Sequence, residues 1–294
     1  MNQNKNRNAA LFRFSHPAMG TLFEIFLTDI PKKYAHQASQ AVFGEIDRLE
    51  KHLSRFDPGS DIGQINLLKP GQSCFIGIDV MECLEKAFHI QNQTKGSFAV
   101  HYSSLSQTKQ SKNLLEAPLT LSRSSGRYQA TLNENWTQGL QLDLGGMGKG
   151  FALDKAADIL TDWDIPQALL HGGTSTALAL HSPSNKKGWP VGAASGWDCP
   201  CVPKEIMLAN RAVSGSGKQV KGDHIIDPRN GLHASGHQAA WVSHPSAAVA
   251  DALSTAFMVM SASEVKEFCF RNQQVWATVV MKKGVCETFN QNVI

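Results

Sequence analysis

A glycine-rich segment near the middle of the chain has the residue types needed to hold a phosphate. Residues 141–160 read QLDLGGMGKGFALDKAADIL, with Lys149 among closely spaced glycines at the start of an expected helix. Glycines let backbone N–H groups gather around an anion, and a helix N-terminus adds the positive end of its dipole. The spacing fits neither a Walker-type loop, because Gly150 follows the lysine, nor a dinucleotide fingerprint. On this segment alone, a tight turn with a solvated lysine is an equally open interpretation.

One acidic residue interrupts a long apolar segment, AAVADALSTAFMVM, that is typical of a buried helix. Asp251 is costly to bury unless it is paired or binds a cation. Ser254 and Thr255 follow three and four residues later, so one helix face can present a carboxylate and two hydroxyls to a hard cation. Magnesium suits such a sparse set, because water and phosphate oxygens complete its octahedron. The alternative is that Asp251 caps the helix or pairs with a core lysine.

A third candidate lies in the segment GDHIIDPRNG, where His224 and Asp227 flank two apolar residues before a turn. Histidine titrates near neutrality and is the usual general base. The sequence Asp-Pro-Arg-Asn-Gly is typical of a tight turn. A single histidine is more often structural, so this segment alone does not establish a base.

The elements that must position these residues follow from the hydrophobic patterns. TLFEIFLTDI reads as an opening strand, and apolar spacing predicts helices from Ala38 to about residue 56, over 78–94 and from about 150 to 160. Residues 106–136 indicate loops and short strands. Strand, helix and strand in succession favour a mixed α/β core, closest to α+β. We expect one domain or two lobes, preceded by a flexible N-terminus over residues 1–10.

Composition excludes several classes of protein. The 28 basic and 25 acidic residues give a net charge of +3 without a basic stripe, which argues against a nucleic-acid partner. No segment is suited to span a membrane. The six scattered cysteines are expected to be reduced. The protein is expected in the cytoplasm if Met1 is the native start, and in the periplasm if a leader has been removed.

The motifs together, in their order along the chain, resemble the ApbE family of FAD:protein FMN transferases. The residues that carry the resemblance are AMGT, SRFDPGSDIGQIN, GSF, LDLGGMGKGFALDKAADIL, HGGT, AVSGSG, HIIDPRNG and ADALSTAF. The resemblance implies an α+β, ApbE-like and T-fold-related architecture that binds FAD and Mg²⁺. It also implies transfer of FMN to a Thr or Ser hydroxyl of an acceptor flavoprotein with release of AMP, although some members hydrolyse FAD to FMN and AMP.

The resemblance also assigns roles to individual positions. Residues implied to contact FAD are Met19, Phe56, Ser97, Phe98, Ala99, Asp143, Lys149, Gly172, Gly173, Thr174 and Ile225. The metal ligands would be the backbone carbonyl of Gly146 and the side chains of Asp251, Ser254 and Thr255. His224 matches the base toward the acceptor hydroxyl, with Asp227 as the second catalytic candidate. The anion that Lys149 would meet is thus the FAD pyrophosphate.

Two positions depart from the family pattern. Ala99 and Thr174 stand where the family commonly has aspartates. A plain FAD pyrophosphatase and a flavin-binding protein without turnover therefore stay open as alternatives. The segment that carries Asp251, Ser254 and Thr255 and the HIIDP segment both match the family, and we therefore expect an active transferase.

Overall fold

An extended antiparallel sheet and the helices on one of its faces form the fold. A computed structural model describes residues 10–103, 117–136, 139–192, 203–222, 225–281 and 284–293. The strands are β1 (Phe12–Ala18), β2 (Thr21–Leu27), β3 (Ser73–Ile76), β4 (His101–Ser103), β5 (Leu119–Ser124), β6 (Arg127–Leu132), β7 (Leu140–Leu142), β8 (Ala168–Gly172), β9 (Thr176–Ala179), β10 (Trp189–Gly192), β11 (Glu205–Leu208), β12 (Arg211–Gly217), β13 (Ala239–His244), β14 (Trp276–Val280) and β15 (Cys286–Phe289). The helices are α1 (Lys32–Leu53), α2 (Asp61–Asn66), α3 (Ile78–Gln93), α4 (Gly148–Asp162), α5 (Lys218–Lys221), α6 (Ala247–Val259) and α7 (Ala262–Arg271), followed by a 3₁₀ turn at Gln291–Val293.

The largest sheet has eight strands in the order β1-β2-β8-β9-β12-β13-β14-β15. Three smaller sheets, β10-β11, β3-β6-β5 and β4-β7, accompany it. Every strand pair in the described part of the chain is antiparallel. An antiparallel sheet with its helices segregated from it is the α+β class, so the predicted fold class is confirmed.

Each face of the central sheet packs into its own apolar cluster. Leu170 packs into the large core shared with α1, α4 and α6, whereas the neighbouring Leu169 packs on the opposite face. On that opposite face, Trp189 of the β10-β11 hairpin packs with Trp241 and Trp276 of the sheet. Successive side chains of a strand point to opposite faces, which accounts for this division.

Helix α4 lies between α1 and α6, and it crosses α6 closely. Gly150 is the contact point: a methyl group at its Cα would lie 2.8 Å from the Ala248 Cα and closer still to the Ala247 carbonyl oxygen. No side chain fits at that separation. One glycine of the glycine-rich segment therefore serves helix packing.

We expect Gly150→Ala to lower the free energy of unfolding by about 1–3 kcal/mol, because the added methyl must push α6 away from α4. Chemical denaturation measures this change. Gly148→Ala is the matched control, since a methyl there would meet only the Leu144 Cβ, at 3.8 Å. Equal denaturation midpoints for the Gly150 variant and the wild type would contradict the close crossing.

Two further findings bear on the sequence predictions. Cys286 is disulfide-bonded, whereas Cys74, Cys83 and Cys269 are free thiols, so the expectation of reduced cysteines is wrong for Cys286. Within the described parts of the chain, none of the helices combines the length and the apolar character needed to cross a bilayer.

Candidate functional site

The carboxylate of Asp251 on α6 is buried, with 5 % of the residue exposed, and four groups surround it. Its Oδ1 accepts hydrogen bonds from the hydroxyls of Thr176, at 3.3 Å, and Ser214, at 3.1 Å. Its Oδ2 accepts the backbone N–H of Gly150 at 3.2 Å and lies 3.8 Å from the Lys149 ammonium. The buried charge is thus compensated by hydroxyls from two strands and by the first turn of α4.

The two hydroxyls that follow Asp251 on α6 differ in accessibility. Ser254 is fully buried, and its Oγ lies 2.9 Å from the Asp251 carbonyl oxygen and 2.8 Å from the Ser216 Oγ. Thr255 is half-buried and lies beside the glycine-rich loop, because a methyl at Gly146 would be 3.6 Å from its Oγ1. Thr255 is therefore the more accessible hydroxyl toward the loop.

The donor set at this place suits a hard divalent cation. The candidate ligand atoms of Asp251, Thr255 and Gly146 are all oxygens, with one carboxylate among them. The Thr255 hydroxyl donates to the Asp251 backbone carbonyl oxygen at 3.3 Å and lies beside Gly146. In the described residues, no three His, Cys, Asp or Glu side chains converge as a zinc or iron site would require. Magnesium tolerates such a sparse set, so these residues fit the ion that the motifs imply.

Lys149 reaches back from the first turn of α4 toward the glycine-rich loop. Its Nζ donates to the Gly145 carbonyl oxygen at 3.3 Å while it faces Asp251. The ammonium is only partly exposed. An anion at the start of α4 would therefore meet this charge together with the positive end of the helix dipole.

Asp143 shapes the glycine-rich loop and connects it to an exposed aromatic ring. Its Oδ1 accepts the Gly145 N–H at 2.8 Å, and its Oδ2 lies 3.3 Å from the Nε of Arg55. The Arg55 guanidinium lies over the Phe56 ring, 4.2 Å from its centroid, and Phe56 is 79 % exposed. The Phe56 ring, which the resemblance implies to contact FAD, is thus presented at the surface beside this loop.

The GSFA segment packs against the same loop. Phe98 is buried, and a methyl at Gly146 would lie 3.3 Å from its ring. Ser97 is 1 % exposed, and its hydroxyl has no hydrogen-bond partner among the described residues. A buried hydroxyl without a protein partner is rare, so the Ser97 hydroxyl is free to bond an ordered water or a bound group. Ala99, which stands where the family commonly has an aspartate, is half-buried.

Met19 occupies a tight turn between β1 and β2. Its φ is 50° and that of Gly20 is 68°, the positive pair typical of a two-residue hairpin turn. The Met19 N–H donates to Glu50 Oε1 at 2.7 Å, so α1 anchors this turn.

Gly172 is the last residue of β8, and Gly173 and Thr174 lie in the turn that leads to β9. Gly173 has a φ of 69°, and a methyl there would lie 3.3 Å from the Thr21 Cβ. This turn therefore lies against the beginning of β2, next to the Met19 turn. Thr174, the second departure from the family, is exposed.

The HIIDP segment is described in part. His224 lies outside the described residues, whereas Ile225 is buried. Both Asp227 oxygens accept hydrogen bonds from Arg229, which also contacts Glu264 at 2.9 Å. The hydrogen bond to Asp227 raises the pKa of Arg229. This arrangement makes Asp227 an anchor of the turn, with both of its oxygens hydrogen-bonded, and its role as the second catalytic candidate stays a prediction.

A nearby histidine carries no charge at neutral pH. His101 lies on β4, which pairs with β7 immediately before the glycine-rich loop. Burial lowers the pKa of His101 to about 4, and its ring packs edge-on against Trp136 at 5.5 Å. Lys149 and Arg55, in contrast, are cationic side chains that pair with Asp251 and Asp143 next to this loop.

Comparison with known proteins agrees with this architecture. The model of the ApbE family matches residues 19–279, nearly nine tenths of the chain. The chain belongs to the ApbE family. A curated relative, the FAD:protein FMN transferase of Buchnera aphidicola subsp. Schizaphis graminum, is 20% identical over 97% of this chain and 90% of its own length.

Solved structures share the fold of this ApbE-family chain. The flavinyl transferase ApbE of Pseudomonas stutzeri, in its apo form, is 22% identical, with a TM-score of 0.76 and 96% of each chain covered. The flavin transferase ApbE of Vibrio cholerae is 18% identical, also with a TM-score of 0.76, over 96% of this chain and 97% of its own. At these identities the likeness establishes the fold.

Several site residues of this ApbE-family chain were not identified from sequence. Thr176 and Ser214 hold Asp251, Arg55 pairs with Asp143, and Asn66 pairs with both backbone groups of Leu142 at 3.3 and 2.6 Å. The signal for Ser214 was present in AVSGSG, as a polar residue within a buried strand. Its partner could not be inferred, because Asp251 is 37 residues distant along the chain.

Proposed function

We propose that this protein transfers FMN from FAD to a Thr or Ser hydroxyl of an acceptor flavoprotein, with Mg²⁺ and with release of AMP. Family membership supports flavin transfer, as does the activity by which the Buchnera relative is named. The Mg²⁺ dependence, the hydroxyl target and the AMP product belong to the proposal.

The observation that carries the proposal is the convergence of a hard-cation ligand set and an ammonium group at the start of α4. Thr255 lies beside Gly146 and one helical turn from Asp251, and the Lys149 Nζ is 3.8 Å from the Asp251 carboxylate. Phosphoryl transfer needs chiefly positioning and neutralisation of charge on the phosphate oxygens. A cation held by these residues, together with the Lys149 ammonium, would supply that neutralisation.

The reaction replaces the phosphoanhydride bond of FAD with a phosphoester bond to the acceptor hydroxyl. The acceptor oxygen bonds to the phosphorus of the FMN half, and the bond from that phosphorus to the bridging oxygen breaks, so AMP departs with that oxygen. His224 would take the hydroxyl proton, as the resemblance implies. Lys149 would hold the pyrophosphate at the start of α4, and Phe56 would offer its exposed ring to the adenine. When bound, Mg²⁺ would neutralise charge on the phosphate oxygens.

One experiment separates this function from its two alternatives. The protein is incubated with FAD and Mg²⁺, with and without a candidate acceptor flavoprotein, and AMP, free FMN and flavin-labelled protein are quantified. A transferase gives AMP and labelled acceptor in equal amounts. AMP with free FMN and no labelled acceptor would indicate a pyrophosphatase, and bound FAD without AMP would indicate a flavin-binding protein without turnover.

We expect Lys149→Ala to weaken FAD binding by about 1–3 kcal/mol, the range for loss of a charge-assisted hydrogen bond. Fluorescence titration of FAD measures this change. Lys33→Ala, at an exposed position of α1, is the control for the loss of one positive charge. Because Lys149 also faces Asp251, Mg²⁺ alone should bind the Lys149 variant no more weakly than the wild type. An unchanged FAD dissociation constant would indicate that Lys149 is a solvated lysine in a tight turn and does not bind FAD.

A further inference from the structure

Asp154 on α4 binds the N-terminus of α6 from outside that helix. Its Oδ1 accepts the Ala247 N–H at 2.6 Å, and its Oδ2 accepts the Ser246 hydroxyl at 2.5 Å and the Ala248 N–H at 3.2 Å. Lys86 of α3 lies 3.6 Å from the same Oδ2. The carboxylate thus acts as a helix cap supplied by a residue more than ninety positions earlier.

The remaining N–H groups at this end of α6 have local partners. The Ser246 N–H donates to His244 Nδ1 at 3.0 Å, and the Val249 N–H donates to the Ser246 Oγ at 3.4 Å. Burial lowers the pKa of His244 to about 4, so its ring is neutral at pH 7 and can accept. The first turn of a helix leaves four N–H groups without intrahelical partners, and here Asp154 provides for two of those donors.

The residues of the candidate metal site lie on these same two helices or just before them. Gly146 lies two residues before the start of α4, whereas Asp251 and Thr255 lie on α6. Gly150 sets how closely the helices approach, as its missing side chain allows. Asp154, one turn further along α4, sets where α6 begins relative to α4. A slide or rotation of α6 would change the separation of the ligands without unfolding either helix.

We propose that Asp154 is a positioning residue for the divalent cation: by capping α6 from α4, it fixes the Asp251 and Thr255 oxygens relative to the Gly146 carbonyl. This inference rests on the metal site of the proposed function. It assigns a role to the second half of the glycine-rich motif, the aspartate of ALDKAA, that is separate from any contact with the flavin.

A cap that only stabilises the protein would behave differently from a positioning residue. Loss of a merely stabilising cap lowers the free energy of unfolding but leaves the affinity of the folded protein for cations unchanged. Loss of a positioning residue weakens cation binding in the folded protein. It leaves the affinity for FAD without metal nearly unchanged, because Asp154 does not touch the loop that faces the flavin.

The test measures two affinities separately: Mg²⁺ alone by calorimetric titration, and FAD without metal by flavin fluorescence. Asp154→Ala should raise the dissociation constant for Mg²⁺ by about 10- to 100-fold, the usual cost of removing a residue that orients metal ligands. FAD binding should stay within about two-fold. Asp154→Asn should give an intermediate loss, because the amide retains one acceptor oxygen for two backbone donors.

Two reference variants make each outcome decisive. Asp158→Asn removes one negative charge from an exposed position one turn along the same helix and should bind Mg²⁺ as the wild type does. Asp251→Asn reports on the metal site itself. If Asp154→Asn and Asp154→Ala bind Mg²⁺ as tightly as Asp158→Asn, the positioning role is wrong while the proposed function stands. If the alanine variant does not fold, the asparagine variant decides. If the wild type and Asp251→Asn bind Mg²⁺ equally, both the metal site and this inference fail.

Discussion

Replacement of Asp251 by Asn is expected to lower Mg²⁺-dependent FAD cleavage by about 10³-fold, because it removes the one charged side chain of the ligand set. The amide oxygen can still accept from Thr176 and Ser214, so the surroundings of the side chain persist. The Gly150 N–H loses its acceptor, which should cost about 1–3 kcal/mol of unfolding free energy. AMP release at several Mg²⁺ concentrations measures the effect.

The stability and metal effects of this change can be separated. Circular dichroism and a denaturation curve establish whether the variant is folded at the assay temperature. Asp162→Asn, at the exposed last residue of α4, controls for the loss of a negative charge. Wild-type turnover of the folded Asp251 variant at low Mg²⁺ would contradict the metal assignment.

His224→Ala is expected to lower flavin transfer to an acceptor by about 10² to 10⁴, the usual contribution of a general base. A threonine hydroxyl is a poor nucleophile until its proton is removed. FAD and Mg²⁺ affinities should stay within a few-fold, since the change leaves Lys149 and Asp251 in place. Single-turnover labelling of the acceptor by flavin fluorescence measures the rate.

His233, nine residues further along the chain, provides a matched control for this prediction. It is exposed, and its backbone bridges Ile226 in the same hairpin, so His233→Ala perturbs the same segment without removing the expected base. Near-wild-type labelling by the His224 variant would make that histidine structural. A loss in both variants would instead point to the hairpin conformation.

The local features of the site were accessible from sequence because each depends on a short spacing. Ser254 and Thr255 follow Asp251 by three and four residues, and this spacing predicted that one helix carries all three residues. Helix α6 does so. The expected helix over 78–94 corresponds to α3, and the one beginning near residue 150 corresponds to α4, which starts two residues earlier. Periodicity of apolar residues carries this information directly.

The contacts that assemble the site were not accessible, because each joins segments far apart in the chain. Asp154 and Ala247 are 93 residues apart, and Thr176 and Asp251 are 75 residues apart. A single sequence gives no register for such pairs. The role of Gly150 was equally hidden, since the glycine-rich segment reads as an anion loop until the distance to α6 is known.

The hydroxyls, backbone N–H and ammonium around Asp251 have a practical consequence for handling the protein. A carboxylate that already has protein partners on both oxygens leaves no orphaned buried charge when a cation is withdrawn. Structural zinc domains behave in the opposite way, because a chelator unfolds them. Here a chelator should strip the cation and leave a folded protein that can be stored, then reloaded with manganese, calcium or a luminescent lanthanide. The identity of the ion thus becomes an experimental variable that can be changed without refolding the chain.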